Sequence, residues 1–500
     1  MHPPAPAPAV PTAPAVGPAA APTASTPAST PLYVDLDGTL YPGDSLHESV
    51  LLLLRRNPLN LLRMLAWLMQ GRLAFKRHVA DAVLPDASTL PYHPGFLAWL
   101  RAERAGGRRL VLATAADRRI AAAVAAHLEI FDDHLGSGEV NLSGARKLEA
   151  IERHGGGVFA YAGNAAVDLA VWSRSTEAVA VHAPAGVRRR LQALHPKARV
   201  FEGEPLRAAT LLRAIRLTQW SKNVLVFVPL LAGHVTSAAA WGAALGAFVA
   251  FGLCASATYL VNDLLDLPND RRHAHKRARP LAAGRLGVGA ALGIAAALLA
   301  AGLMLAVAVS PLLALMLAGY LAITLAYSLH LKSRALLDVL VLAGLYTWRI
   351  AAGAVVAQVA LSNWLLAFSM FIFLSLALVK RCAELEEMSD RELTRTPGRG
   401  YRLEDLPTLR GMGVASGFMA VLVLALYIES QNGRALYPQP LWLWALAPLL
   451  LAWMMRIWLK VGRRELHGED PIAFALKDRG SWATLIAMAG AAYMASRGAP

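Results

Sequence analysis

The sequence predicts a two-part protein: a soluble N-terminal domain followed by an all-helical bundle that crosses a membrane many times. Two observations carry this expectation. The 500 residues are 56% hydrophobic with a mean hydropathy of +0.42, yet the apolar content is concentrated after residue 222, while residues 31–210 have the mixed composition of an ordinary soluble domain. From Gln219 onward, apolar runs of about 18 to 25 residues recur, each long enough to cross a bilayer as a helix. Together they divide the chain into a leader over 1–30, a soluble domain over 31–205 and a membrane domain over 213–500.

The leader is almost wholly Pro, Ala, Thr, Ser and Val, without a charged start or a continuous apolar stretch, and reads as disordered chain, not as a signal peptide. The soluble domain opens with an apolar strand ending in two carboxylates before a glycine turn, Leu32-Tyr-Val-Asp35-Leu-Asp37-Gly38-Thr39. Such a pair suits phosphoryl chemistry: one carboxylate attacks phosphorus and its neighbour handles the proton of the leaving group. Further along come a strand ending in a hydroxyl, Arg109-Leu-Val-Leu-Ala-Thr114, then Lys147 after Gly144, then Tyr161-Ala-Gly163-Asn164-Ala-Ala-Val-Asp168.

These four elements, in this order, resemble the haloacid dehalogenase (HAD) phosphohydrolases over about residues 31 to 190. The resemblance implies an α/β, Rossmann-like parallel sheet with Asp35 as nucleophile and Asp37 as general acid/base. It implies also that Thr114 and Lys147 hold the phosphate and that Asp168, with Asp35 and Asp37, helps bind magnesium. Asn164 stands where many members carry a further aspartate, which removes one negative charge near the metal. The helical stretch from Asp44 to Arg101 would form the cap. Within it, Leu59 to Met69 is too short to span a bilayer and packs on the core or rests on a membrane surface.

The membrane domain contains about nine candidate spans, near 219–236, 238–261, 286–309, 311–330, 336–360, 363–381, 408–429, 437–459 and 480–497. Alternate connections are strongly basic: Arg271 to Arg285, Lys332 with Arg334, Lys380 to Arg410, and Arg456 to Arg479. The positive-inside rule makes these cytoplasmic, which places the soluble domain on the cytoplasmic face of the cell (inner) membrane. The net charge of +15 therefore calls for no nucleic acid; anionic lipid and phosphorylated substrates account for it. Cys254 and Cys382 have neither metal-ligand nor pairing spacing.

The densest chemistry lies where the second apolar run ends, in Asn262-Asp263-Leu-Leu-Asp266-Leu-Pro-Asn-Asp270, followed by Lys276, Arg277 and Arg279. Continued at helical period, Asp263, Asp266 and Asp270 share one face, so their oxygens could converge on a hard divalent cation such as Mg2+ while the cations that follow take phosphate oxygens. Deep in the fifth run, Arg349 falls on nearly the same face as Asp338 and is either a phosphate contact or half of a buried pair.

The NDxxDxxxD element and its KRxRPxxxG continuation through Gly284 resemble the UbiA superfamily of intramembrane prenyltransferases over roughly residues 213 to 500. The resemblance implies that Asn262, Asp263, Asp266 and Asp270 surround magnesium and a diphosphate, walled by Lys276, Arg277 and Arg279. The loop from Lys380 to Asp390 is acidic but is not the second aspartate motif of typical aromatic-acceptor members. Instead Arg216-Leu-Thr-Gln219-Trp220-Ser-Lys222-Asn223, Tyr327 with Lys332 and Asp338, Lys380-Arg381-Cys-Ala-Glu384-Leu, and Asp470-Pro471-Ile-Ala-Phe474 resemble the decaprenyl-phosphate phosphoribosyltransferase branch. That resemblance implies phosphoribosyl diphosphate as donor and a polyprenyl phosphate as acceptor, with Lys222, Lys332, Lys380 and Arg381 neutralising their charge. The fused hydrolase would then remove the 5-phosphate from the product. Two other functions fit the sequence: prenyl transfer from a polyprenyl diphosphate to an aromatic or small acceptor, and a non-catalytic membrane scaffold in which the HAD-like domain alone is active.

Overall fold

The computed structural model describes residues 30–203, 207–273, 276–389, 399–466, 474–475 and 477–497. The leader, Asp390 and the segment from Asp470 to Ala473 lie outside the described residues. The chain divides into two compact units, Met1–Pro205 and Leu206–Pro500.

The first unit is built on six strands, β1 (Leu32–Val34), β2 (Leu110–Asp117), β3 (Asp133–Ser137), β4 (Ala160–Gly163), β5 (Glu177–Val181) and β6 (Arg199–Phe201). They form one parallel sheet in the order β3-β2-β1-β4-β5-β6, with Leu32 in register with Leu110 on one side and Ala160 on the other. Alternation along the strands feeds two cores. Leu32, Val34, Leu110 and Leu112 pack on one face with Phe96 and Leu100 of α4 (Pro94–Ala105) and Ile120 and Val124 of α5 (Arg118–Leu128). Tyr33, Val111 and Ala113 pack on the other, against Ile151 of α6 (Ala145–Gly155), Trp172 of α7 (Leu169–Trp172) and Leu191 of α8 (Ala185–Leu194). Between β1 and α4 the chain inserts three cap helices, α1 (Ser45–Arg56), α2 (Asn60–Met69) and α3 (Arg72–Ala82). Strand order reverses direction at β1 and β4, and the crevice beyond the carboxyl ends of such strands is where open α/β sheets bind ligands. Asp35 and Asn164 follow directly on those two strands.

The second unit begins with α9 (Ala208–Ala214), a 3-10 segment Leu217–Phe227 and the short α10 (Val228–Ala232). It continues through α11 (Ala238–Leu265), α12 (Leu267–Arg272), α13 (Val288–Val309), α14 (Pro311–Leu329), α15 (Leu337–Val356), α16 (Asn363–Ser389), α17 (Leu406–Glu429), α18 (Gln431–Leu436), α19 (Leu446–Gly462) and a final helix, Arg479–Ser496. Among the described residues seven helices are long and apolar enough to cross a membrane. They are α11, α13, α14, α15, α16, Leu403–Glu429 and Pro440–Gly462. The span expected over 219–236 is instead 3-10 turns and a five-residue helix that Pro229 opens, because proline suits the first turn of a helix and not its interior. The last expected span is helical but, rich in Ala, Gly and Ser, is not one of the seven.

Burial sorts the bundle. The apolar windows of α13 and α14 are 17% buried, whereas those of α11, α15 and α16 are 50 to 56% buried and form its centre. Close approach there depends on small residues. A Cβ at Gly353 of α15 would collide with the backbone carbonyl of Val226, while at Gly344 of the same helix it would meet nothing. Gly353→Ala should therefore destabilise the bundle by about 1 to 3 kcal/mol, and Gly344→Ala should be neutral or stabilising by up to about 1 kcal/mol. Thermal transitions of the two detergent-solubilised variants measure the difference; equal midpoints would contradict this packing.

Candidate functional site

The strand–turn–helix geometry of the first unit gathers a compact charged cluster. Lys147, buried in the first turn of α6, places its Nζ 2.9 Å from Asp35 Oδ1 and 3.6 Å from Asp168 Oδ1. It also donates to the Tyr161 hydroxyl at 2.9 Å, which in turn donates to Asp168 Oδ1 at 2.7 Å. The other Asp168 oxygen accepts the backbone N–H groups of Asn164 and Ala165. Asp37 accepts from the backbone N–H and hydroxyl of Ser45 at 2.8 and 3.0 Å, at the start of the cap. Gly38 has φ +74°, and a Cβ there would strike the Asn164 amide, so glycine is required for the loops after β1 and β4 to meet.

Electrostatics separates the two leading carboxylates. Burial raises Asp35 to about 6, against the pull of Lys147. Burial, with Asp44 nearby, raises Asp37 to about 7, so Asp37 holds a proton to higher pH and suits the acid role. Burial opposes the charge on Lys147, but Asp35 and Asp168 outweigh it and its pKa is raised. A cavity of about 50 Å³ lies between cap and core, with Asp37, Asp44, Ser45, Lys76 and Asp117 among its lining. Lys76 comes from the cap and donates to the Ala115 carbonyl and the Asn141 side chain, both at 3.0 Å. Thr114 is fully buried, and its Oγ1 accepts from the Ala116 N–H.

In the second unit, α11 ends at Leu265 and Asp266 is its C-cap; α12 then starts with Pro268 in its first turn. The three aspartates therefore do not continue on one regular helix face, because the proline lacks the N–H an uninterrupted helix needs. The fold joins Asp263 and Asp270 through Arg279, whose Nη1 lies 3.2 Å from Asp263 Oδ1 and 2.6 Å from Asp270 Oδ2. Arg216 pairs with Asp263 as well, and its guanidinium stacks 5.1 Å from the Tyr259 ring. Asp263 and Asp270 are buried. Two carboxylates converging on one cationic nitrogen form an oxygen-donor pair of the kind a hard divalent ion takes. Among the described residues no three His, Cys, Asp or Glu side chains stand together as a complete metal set. Lys276 and Arg277 lie exposed on a 3-10 turn just before Arg279, and Asn262 accepts the Asp266 N–H through its carbonyl.

A second charged hub centres on Asp338, fully buried at the start of α15. It accepts from Tyr327 at 2.7 Å, from Arg381 Nε at 2.5 Å and Nη2 at 3.1 Å, and from Arg399 at 3.2 Å. Arg381 also pairs with Glu384, so its guanidinium is committed to carboxylates. Lys332 sits in the turn Leu331–Ser333 and Lys380 is half-buried on α16. Arg349 is not paired with Asp338. It donates to Asn223 Oδ1 at 2.9 Å, the Leu345 carbonyl at 2.8 Å and the Tyr320 hydroxyl at 2.5 Å, and stacks over the Tyr320 ring. The Asn223 Nδ2 beside it is a buried donor with no partner among the described residues, and Lys222 lies 5.9 Å from the Tyr346 ring that also faces Arg349.

Several of these groups were invisible to motif reading as site residues. Tyr161 relays between Lys147 and Asp168, Arg216 neutralises Asp263, Arg399 completes the Asp338 hub, and Lys76 enters the hydrolase cavity from the cap. Unpaired carboxylates so closely set are the signal that such partners exist, but spacing does not say which cation supplies them.

The fold and the clustered charges define an integral membrane protein joined to a Rossmann-like phosphohydrolase-type domain. The model of the UbiA prenyltransferase family matches residues 224–494, and the chain belongs to that family. The model of the haloacid dehalogenase-like hydrolases matches residues 32–172. Among relatives, y4nM of Sinorhizobium fredii is 40% identical over 457 residues, covering 90% of this chain and 88% of that protein. The decaprenyl-phosphate phosphoribosyltransferase of Mycobacterium tuberculosis is 39% identical over 187 residues, 35% of this chain and 60% of that protein. A solved UbiA homolog from Archaeoglobus fulgidus bound to GPP and Mg2+ aligns with a TM-score of 0.42 at 17% identity, over 55% of this chain and 99% of that one. The protein is thus a UbiA-family transferase with a HAD-like hydrolase domain.

Removing one member of the Asp338 hub tests its energetics. Arg381→Ala removes the principal cation from a fully buried carboxylate and leaves it to Tyr327 and the more exposed Arg399, which should cost about 3 kcal/mol, whereas Arg399→Ala, at a site 22% exposed, should cost less. The thermal midpoint of each variant in detergent reads this, and the reverse ranking would refute the assignment of Arg381 as the principal partner.

Proposed function

We propose that the membrane unit transfers phosphoribosyl from phosphoribosyl diphosphate to a polyprenyl phosphate, and that the HAD-like unit removes the 5-phosphate of the product. The observation that carries this reading is the pairing of Asp263 and Asp270 on one cation at the end of α11, in a chain similar over 187 residues to a decaprenyl-phosphate phosphoribosyltransferase. Asp263, Asp270 and the adjoining Asp266 would hold Mg2+, which when bound neutralises diphosphate oxygens. Arg279, Lys276 and Arg277 would then take up the remaining phosphate charge, Arg279 exchanging carboxylate partners for phosphate. Asn262 would stand with these aspartates around the metal and diphosphate. In the transfer, the bond from the anomeric carbon to diphosphate breaks, diphosphate leaves with the electron pair, and an oxygen of the lipid phosphate forms the new bond. The chain's contribution is to position the reactants and to stabilise charge on the leaving group.

Arg349 and the Asn223 amide, whose Nδ2 has no partner among the described residues, would with Lys222 receive a second anionic group, which on this reading is the lipid phosphate. Lys332 and Lys380 would add positive charge near the Tyr327–Asp338–Arg381 hub, in which Tyr327 and Arg381 act by holding the frame. In the hydrolase unit Asp35 attacks phosphorus as the bond to the ester oxygen breaks, and Asp37 protonates that departing oxygen; water then attacks the aspartyl-phosphate, its proton passing to Asp37, and releases inorganic phosphate with Asp35 restored, while Lys147 and Thr114 hold the phosphate; Asp35, Asp37 and Asp168 would bind Mg2+. The basic connections support placing this unit on the cytoplasmic side, where phosphorylated substrates would reach it.

Purified full-length protein given labelled phosphoribosyl diphosphate, polyprenyl phosphate and Mg2+ should form a ribosylated lipid and release inorganic phosphate. Asp35→Asn should reduce phosphate release by about 100-fold or more while leaving lipid labelling intact. Asp263→Asn, or chelation of the metal, should abolish labelling by a similar factor. Labelling only from a polyprenyl diphosphate with an aromatic acceptor would replace this reading by prenyl transfer. Phosphate release with no lipid labelling from either donor would leave the hydrolase as the only enzyme.

A further inference from the structure

The cap helix α2 carries a surface that the hydrolase fold does not use. Its contribution to the small core of the cap is Met64, with Trp67 partly buried beside it; Leu53 of α1 and Val83 complete that core. The opposite side presents Leu61, Leu62, Leu65, Leu68 and Met69, each 51 to 90% exposed, with Leu59 just before the helix at 68%. At 100° per residue the five helical positions fall within one sector of roughly 120°, so they form a continuous apolar face on a unit that is otherwise an ordinary α/β domain. Soluble surfaces seldom leave such a face bare, and a face of this kind marks a docking site.

Charge says what covers it. From Ser49 to Ala80 the sequence holds Arg55, Arg56, Arg63, Arg72, Lys76 and Arg77 and no Asp or Glu. All five arginines are exposed: Arg55 and Arg56 end α1 just before α2, Arg63 lies on α2, and Arg72 and Arg77 lie on α3 just after it. Arg63 stacks at 5.3 Å on Trp67, on the side of α2 away from the leucines. Exposed apolar chains on a stretch whose charged side chains are all cations match the boundary between lipid headgroups and acyl chains, and an anionic headgroup layer adds attraction that a neutral protein surface would not. At ten residues the helix is about 15 Å long, too short to cross a bilayer but suited to lie along one.

We propose that α2 rests in the surface of an anionic bilayer, its leucine face immersed and the exposed cations of the cap drawn toward the headgroups, so that the cap of the hydrolase is held at the membrane. The cap helices on either side of α2, α1 and α3, supply Ser45 and Lys76 to the cavity beside Asp37. A phosphate ester borne on a lipid would thus meet the cavity without leaving the bilayer surface. The docking itself stands on the exposed face and its charge, not on the identity of the reaction.

The test uses the full-length chain in nanodiscs of mixed phosphatidylglycerol and phosphatidylcholine, with Cys254 and Cys382 replaced by alanine. Nitroxides are attached at Leu62→Cys, Leu65→Cys and, as a water-facing control in α6, Glu149→Cys. Labels at positions 62 and 65 should collide preferentially with oxygen, which concentrates in the acyl region, and the control with a water-soluble nickel chelate. Leu61→Glu together with Leu68→Glu should reverse the preference at position 62 while leaving the thermal midpoint unchanged, because both side chains are exposed in the fold. Collisions with nickel at 62 and 65 equal to the control would overturn the proposal by placing the face in water. Shielding of both labels from oxygen and nickel alike would overturn it by showing that protein, a second copy or another part of the chain, covers the face.

Discussion

Carboxylates set close together in a poorly hydrated place repel one another unless a cation stands between them, and both units are organised around that constraint. At an effective dielectric of about 20, two like charges 4 Å apart cost about 4 kcal/mol. At the end of α11 the charge is balanced by Arg279, shared between Asp263 and Asp270, and by Arg216 on Asp263. In the hydrolase unit Lys147 lies between Asp35 and Asp168. Each site therefore carries a cation of its own within a set of oxygen donors. On the proposed reading, binding a metal and a phosphate together would let that cation move its partnership from carboxylate to phosphate while the total charge stayed balanced.

The backbone pays for this placement in identifiable ways. Arg216 adopts φ +51° and Leu336 φ +65°, left-handed conformations that side chains with a Cβ take at a cost. Arg216 precedes the 3-10 segment that packs beside α11, and Leu336 is the N-cap of α15, two residues before Asp338. Leu336 is fixed by a hydrogen bond from its N–H to the Tyr401 hydroxyl at 3.0 Å. Helix breaks serve the same end. The interruption at Asp266 and Pro268 turns the chain so that Asp270 returns to within reach of the cation that Asp263 holds. A straight helix would have carried Asp270 about 10 Å further along its axis from Asp263.

Much of this was legible in the sequence, for reasons that can be stated. Strand β1 and the chemistry after it are local: an apolar run, two carboxylates and a glycine that must turn with positive φ. The parallel sheet followed only from the resemblance, since periodicity alone does not give strand order. The seven long apolar helices all fall on apolar runs of the sequence with ends displaced by a few residues, and α16 runs eight residues past the expected end at 381. The stretch 219–236 misled because mean hydropathy does not register Pro229 or the polar Gln219, Ser221, Lys222 and Asn223, which cut the run into 3-10 turns. Site residues separated by long stretches were out of reach. The partnership of Asn223 with Arg349 spans 126 positions, and that of Tyr327 with Arg399 spans 72, so only the fold brings them together. Spacing did place Arg349 near Asp338 on its helix, but the guanidinium reaches across to neighbouring elements, where Asn223 and Tyr320 receive it.

The central claim is that the paired acids at the end of α11 receive a metal-bound diphosphate. Direct binding tests it without any requirement for turnover. Full-length protein in nanodiscs, titrated calorimetrically with phosphoribosyl diphosphate, should bind saturably with Mg2+ present, and Asp263→Asn and Asp270→Asn should each remove that binding. Equal affinity with and without Mg2+, or undiminished affinity in both variants, would contradict the account.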